Sequence, residues 1–125
     1  MLKKLSLILI GLLLGSNVAL SANYLDCDSA MNAGKPFILY LHSNTCGSCK
    51  RFTPIFNSVV QDMPYNVVDI NYSYSQSRNV CTTAETKTIP AVYIVDPAQR
   101  TRSKVNFDTY FDSQVFRETL KDLLN

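Results

Sequence analysis

Tryptophan is missing altogether, histidine occurs once, and glycine and proline supply only four and five of the 125 residues. So little Gly and Pro excludes a collagen-like or low-complexity chain, and 46% hydrophobic against 18% charged residues excludes a disordered one. A surplus of one charge is also lacking. The formal net charge is +2, and Lys3 and Lys4 account for it: from Asn23 onward ten Lys and Arg face ten Asp and Glu. A neutral body has no electrostatic footprint for a phosphate backbone, so nucleic acid is not an expected partner. The length suits one domain of roughly 100–125 residues and not two, and no internal repeat or linker divides it.

Residues 1–22 read as a secretory signal and 23–125 as the domain. Lys3 and Lys4 form a positive start, Leu5 to Leu14 is apolar apart from Ser6 and Gly11, and Ala19 and Ser21 have the small-residue spacing of a cleavage site. The alternative is an uncleaved anchor facing the periplasm, because Leu5 to Ala22 is 18 residues without a charge. A body exported to a periplasm or secreted would sit where disulfides persist. Four Cys are too sparse for a disulfide-stapled miniprotein, and the aliphatic and aromatic residues suffice for an ordinary core, so the cysteines are not expected to be all structural.

Along the body the pattern alternates between helix and strand. Tyr24–Ala33 reads as a short helix stopped by Gly34 and Pro36. Phe37–Leu41 is an apolar run suited to a strand covered on both faces. A helical pattern follows from Cys46 to about Asp62, with Phe52, Ile55, Phe56, Val59 and Val60 on one face and Pro54 inside. Tyr65–Ile70 is a second strand, and Ser73–Thr86 a polar loop with a weakly amphipathic helix. Ala91–Val95 and Ser103–Phe107 are further strands, and a last helix starts at Asp112 or Ser113. The order α-β-α-β-α-β-β-α describes a single α/β domain.

The chemistry is concentrated in Cys46-Gly47-Ser48-Cys49, placed where a buried strand gives way to a helix. A helix start carries unpaired N–H groups and the positive end of the dipole, and both stabilise a thiolate. Such a Cys falls from a pKa of ~8.5 toward ~3.5–7.5 and becomes nucleophilic near neutral pH. Cys46 is therefore the expected attacking sulfur and Cys49, one turn on, the resolving one. A CxxC can also be half of a zinc site, but Cys27 and Cys81 form no second such pair, and metal is not expected.

From Leu25 to Leu124 the chain resembles thioredoxin and its exported relatives. The resemblance rests on strand Phe37–Leu41, Cys46-Gly47-Ser48-Cys49-Lys50, Pro54 five residues past the second Cys, and Thr88-Ile89-Pro90-Ala91 before a strand. It implies a thioredoxin-like fold: a mixed four-stranded sheet flanked by helices on both faces. The family's opening strand is expected to be missing, because little chain precedes the first helix. The resemblance also implies a cis Pro90 beside the dithiol, with the backbone at Ile89 docking a substrate strand. Cys27 and Cys81 would lie on helices covering the same face of the sheet, so a structural disulfide between them is a candidate.

Two departures stand out. The family commonly has a Trp before the first Cys and an acid six positions before it; here these places hold Thr45 and Tyr40. Asp69, where thioredoxin carries the lysine that pairs with that acid, is a candidate to take the Cys49 proton. His42 and Lys50 are further candidates to favour a thiolate by their charge. The resemblance implies a thiol–disulfide oxidoreductase acting on disulfide or dithiol proteins, with no cofactor because the dithiol carries both electrons. The small Gly47-Ser48 pair leans toward a reductant, which would need an electron donor in the membrane. A redox-silent binding or chaperone-like module is the rival.

Overall fold

The computed structural model describes residues 21–74, 81 and 88–125. Residues 1–20 of the expected signal segment and most of the expected helix in 73–86 lie outside these described residues. Five strands, β1 (Asn23–Tyr24), β2 (Phe37–His42), β3 (Asn66–Asn71), β4 (Ala91–Asp96) and β5 (Thr101–Lys104), form one sheet in the order β1-β3-β2-β4-β5. β1 and β2 both run parallel to β3, whereas β4 is antiparallel to β2 and β5 to β4. Helix α1 (Cys27–Ala33) covers one face; α2 (Gly47–Val60) and α3 (Ser113–Leu124) cover the other.

The expected four-strand count is corrected to five. Asn23 and Tyr24 pair with Asn66 and Val67, and the Leu25 N–H donates to the Val67 carbonyl at 2.9 Å. Two residues suffice because the β3 edge offers unpaired backbone groups that a short extended segment can satisfy. The first helix accordingly begins later than its hydrophobic pattern suggested. Asp26 caps it, accepting from the Ser29 N–H at 2.8 Å, and Gly34 ends it at φ 70°. The last strand is shifted too. A turn through Arg100, at φ 54°, lets pairing begin at Thr101, and Asn106 starts a 3-10 turn (Phe107–Thr109) that takes Phe107 out of the strand.

Side-chain alternation along β2 builds both halves of the core. Ile38 and Tyr40 face α2 and α3, packing with Phe52, Phe56, Val59, Phe116 and Leu120. Phe37, Leu39 and Leu41 face the other way, against Ala30, Cys27 and Cys81. Each large apolar side chain so buried contributes roughly 1.5–3 kcal/mol. A continuous apolar run is therefore what a strand in this position needs: it has no solvent face. Its C-terminal end is then held rigidly, and the CxxC leaves from that end.

Candidate active site

β2 ends at His42, and four residues, Ser43 to the capping Cys46, carry the chain into α2. The loop is tightly held: the Cys46 N–H donates to the Ser43 carbonyl at 3.4 Å and the Asn44 N–H to Ser73 Oγ at 2.8 Å. Asn71 at the end of β3 donates its side-chain N–H to Asn44 Oδ1 at 2.8 Å. Cys46 is itself the cap of α2. Its sulfur accepts from the Cys49 N–H at 3.1 Å, while its carbonyl accepts from the Lys50 N–H at 3.2 Å. The sulfur therefore occupies the place of a capping oxygen, where orphan N–H groups and the helix dipole favour negative charge.

Cys46 and Cys49 form a disulfide with their Cα atoms 5.2 Å apart. Cys49 is buried and Cys46 partly exposed, so an incoming group meets Cys46 first. Gly47 has no heavy atom within 4 Å of where a Cβ would lie, which keeps the approach open. The Ile89 carbonyl lies 3.8 Å from the Cys46 sulfur, and the Ile89–Pro90 peptide bond is cis. Thr88, Ile89, Pro90, Lys104 and Phe107 line a cleft of about 310 Å³ beside it. Cys27 and Cys81 form a second disulfide, buried on the opposite face of the sheet. The four cysteines thus pair two and two.

Residues 20–119 match the family model for thioredoxin. The chain belongs to the thioredoxin family. No curated protein matches it by sequence. Among solved structures it is similar to the J-Trx1 fragment of ERdj5, with 16% identity and a TM-score of 0.65 over 82% of this chain. It spans only about half of that fragment, 51%. It is also similar to a mutant thioredoxin from Halobacterium salinarum NRC-1 (11% identity, TM-score 0.62, 84% of this chain and 92% of that one). The Trx4 domain of ERdj5 gives 17% identity and a TM-score of 0.58, with 85% of this chain and 97% of that one covered. At these identities the shared property is the thioredoxin fold.

The other candidates fall into two places. His42 and Asp69 meet: His42 Nε2 and Asp69 Oδ1 are 2.5 Å apart, with the imidazole largely buried and the carboxylate about one-third exposed. Asp69 is thus held by His42 rather than buried alone in an apolar strand. Lys50 is exposed on α2. Two residues at the site were not singled out for a role from the sequence. Tyr40, at the thioredoxin family's acid position, shares a 2.7 Å hydrogen bond with Thr53 Oγ1, and Thr53 Oγ1 donates to the Cys49 carbonyl at 2.8 Å. Burial raises the Tyr40 phenol above its ordinary pKa, the Thr53 bond opposes this and the Asp69 charge adds to it. Thr53 stands four residues after Cys49, the spacing at which a hydroxyl reaches back to a helical carbonyl. That spacing was the available signal.

Proposed function

We propose that this chain is an exported thiol–disulfide oxidoreductase that exchanges disulfides with protein substrates through Cys46 and Cys49. The observation that carries the reading is the position of the Cys46 sulfur: it caps α2, is partly exposed and is paired with a buried Cys49. In the reduced protein the Cys46 thiolate attacks a substrate disulfide, forming a mixed disulfide and releasing one substrate thiolate. Cys49 then attacks Cys46, the mixed disulfide breaks, and the second substrate thiolate leaves. Two electrons pass from dithiol to substrate, and no dissociable cofactor takes part. Ile89 and Pro90 supply the edge beside Cys46 along which an extended substrate segment docks.

Reduction of substrates is the direction favoured. The oxidising relatives often carry a His between the two cysteines that stabilises the reduced form; Gly47 and Ser48 offer no such group. A reductant working in an oxidising compartment draws electrons from a membrane donor. Export rests on Lys3, Lys4 and the apolar stretch after them. The deciding experiment is turnover of a model protein disulfide together with the equilibrium potential of the Cys46–Cys49 pair. A potential near ~−270 mV supports reductive work, whereas one near ~−120 mV makes the protein an oxidant. Absence of turnover removes the enzyme and leaves a binding module.

A further inference from the structure

The polar groups beneath the dithiol form a connected set that the exchange steps above leave unused. On β2, Tyr40 and His42 point to the same face, and their rings stack with centroids 4.5 Å apart. Tyr40 is sandwiched between His42 and Phe56 of α2, and its hydroxyl reaches Thr53. α2 starts where β2 ends and runs back along it. Two residues forward on the strand, from Tyr40 to His42, cover about 6–7 Å, the rise of about four residues backward on the helix. Four residues before Thr53 is Cys49. The imidazole of His42 thus lies at the level of the buried thiol's own helical turn.

We propose that His42, oriented by Asp69, is the acid–base group that takes the Cys49 proton during resolution. This rests on the oxidoreductase reading and adds a role to it. A carboxylate accepts only, so Asp69 fixes the proton of the neutral imidazole on Nε2 and leaves the Nδ1 lone pair as the base. In the step, the Cys49 S–H bond breaks and its proton passes to Nδ1, directly or through one water. The Cys49 sulfur forms its bond to Cys46 as the bond from Cys46 to substrate breaks, and the electron pair leaves on the substrate sulfur. The substrate disulfide is the oxidant, the dithiol is oxidised, and the imidazolium returns its proton to solvent.

The groups in contact with this unit are Asp69 on β3 and Tyr40 on β2; Tyr24 on β1 is near enough to Asp69 to feel its charge, and Tyr40 leads through Thr53 to the Cys49 carbonyl on α2. Burial and the Asp69 charge raise both phenols, so Tyr24 and Tyr40 stay protonated at neutral pH and offer no competing base. Lys50 on α2 is directed into solvent.

The test uses the full chain, reduced at Cys46 and Cys49, and an aromatic disulfide that releases a coloured thiolate. The first burst of colour reports attack by Cys46, and the second reports resolution by Cys49. Asp69→Asn keeps a side-chain acceptor for His42 without the charge; His42→Phe keeps a ring against Tyr40 without the base. Each is expected to slow the second burst by about tenfold or more while leaving the first within about twofold, since a positioned base contributes ~10²–10⁴-fold. The pH profile of the second rate should differ between wild type and His42→Phe, while that of the first rate should not. A second burst slowed by less, or an unaltered pH profile in both variants, overturns the assignment. A wild-type chain giving neither burst overturns the oxidoreductase reading instead.

Discussion

At the scale of single residues, the two sulfurs differ in kind because the backbone places them differently. Cys46 caps a helix and is partly exposed, whereas Cys49 lies inside the first turn and is buried. Replacing Cys49 with Ser is therefore expected to leave a stable mixed disulfide on Cys46, visible by mass spectrometry; Cys46→Ser should form none. Tyr110 shows how a buried polar atom is kept satisfied. Its hydroxyl accepts from the Val92 N–H at 2.8 Å and donates to the Val105 carbonyl at 3.2 Å. Burial pushes its pKa up to about 12, the Val92 hydrogen bond opposing and the Tyr93 and Tyr40 charges adding a little. The phenol of an unfolded chain ionises near pH 10, so the folded state holds its proton more tightly. The stability from this group is complete below pH 10 and is lost as pH rises to about 12. Tyr110→Phe should be less stable by about 1–3 kcal/mol in urea unfolding at neutral pH, because two buried backbone groups lose their partner. Its stability should also fall less steeply than wild type between pH 10 and about 12.

At the scale of elements, the boundaries are set by caps. Gly34 ends α1 at φ 70°, and a methyl group added there would have no heavy atom within 4 Å. Gly34→Ala therefore meets no steric clash and is expected to cost about 1–2 kcal/mol through backbone strain alone. Asp112 begins α3 by accepting from the Gln114 and Val115 N–H groups at 3.1 and 3.2 Å; Asp112→Ala should cost about 1 kcal/mol. Both changes are measurable as shifts in the thermal midpoint with unchanged thiol chemistry. The elements that sequence pattern revealed were those with strong period or composition. β2 was legible as an unbroken apolar run, and α2 by the stripe from Phe52 to Val60. β1 was not legible, since two residues, Asn23 and Tyr24, carry no periodicity and owe their conformation to the free edge of β3. The start of β5 was displaced for a similar reason: Arg100 adopts positive φ, which a non-glycine residue does not advertise in sequence. The same limit applied at the site. Cys46 and Cys49 announce themselves by spacing, but the meeting of His42 with Asp69 depends on the parallel register that sets β2 beside β3, a long-range fact.

At the scale of the whole molecule, the sheet separates two disulfides of different environment. Cys46–Cys49 is at the edge of the α2 face with one partly exposed sulfur, while Cys27–Cys81 is buried in the opposite core with Ala30, Phe37 and Leu39. Cys27 and Cys81 are separated by 54 residues, and that bond shortens the accessible ensemble of the unfolded chain. Cys27→Ser or Cys81→Ser is expected to lower stability by about 2–5 kcal/mol in denaturant unfolding, with exchange at Cys46 retained while the protein is folded. The Arg102 guanidinium donates to the Cys81 carbonyl at 2.9 Å and lies 4.1 Å over the Tyr93 ring, tying that disulfide to the β4–β5 hairpin. The arrangement thus places a buried disulfide on one layer and the partly exposed Cys46–Cys49 pair on the other, with β2 shared between them.

The proposed exchange depends on α2 making the Cys46 thiol acidic. The most direct measurement is the rate of alkylation of Cys46 in the reduced chain as a function of pH, followed by mass spectrometry. The account predicts a midpoint within ~3.5–7.5, well below that of free cysteine at ~8.5. A midpoint at the free-cysteine value would contradict it.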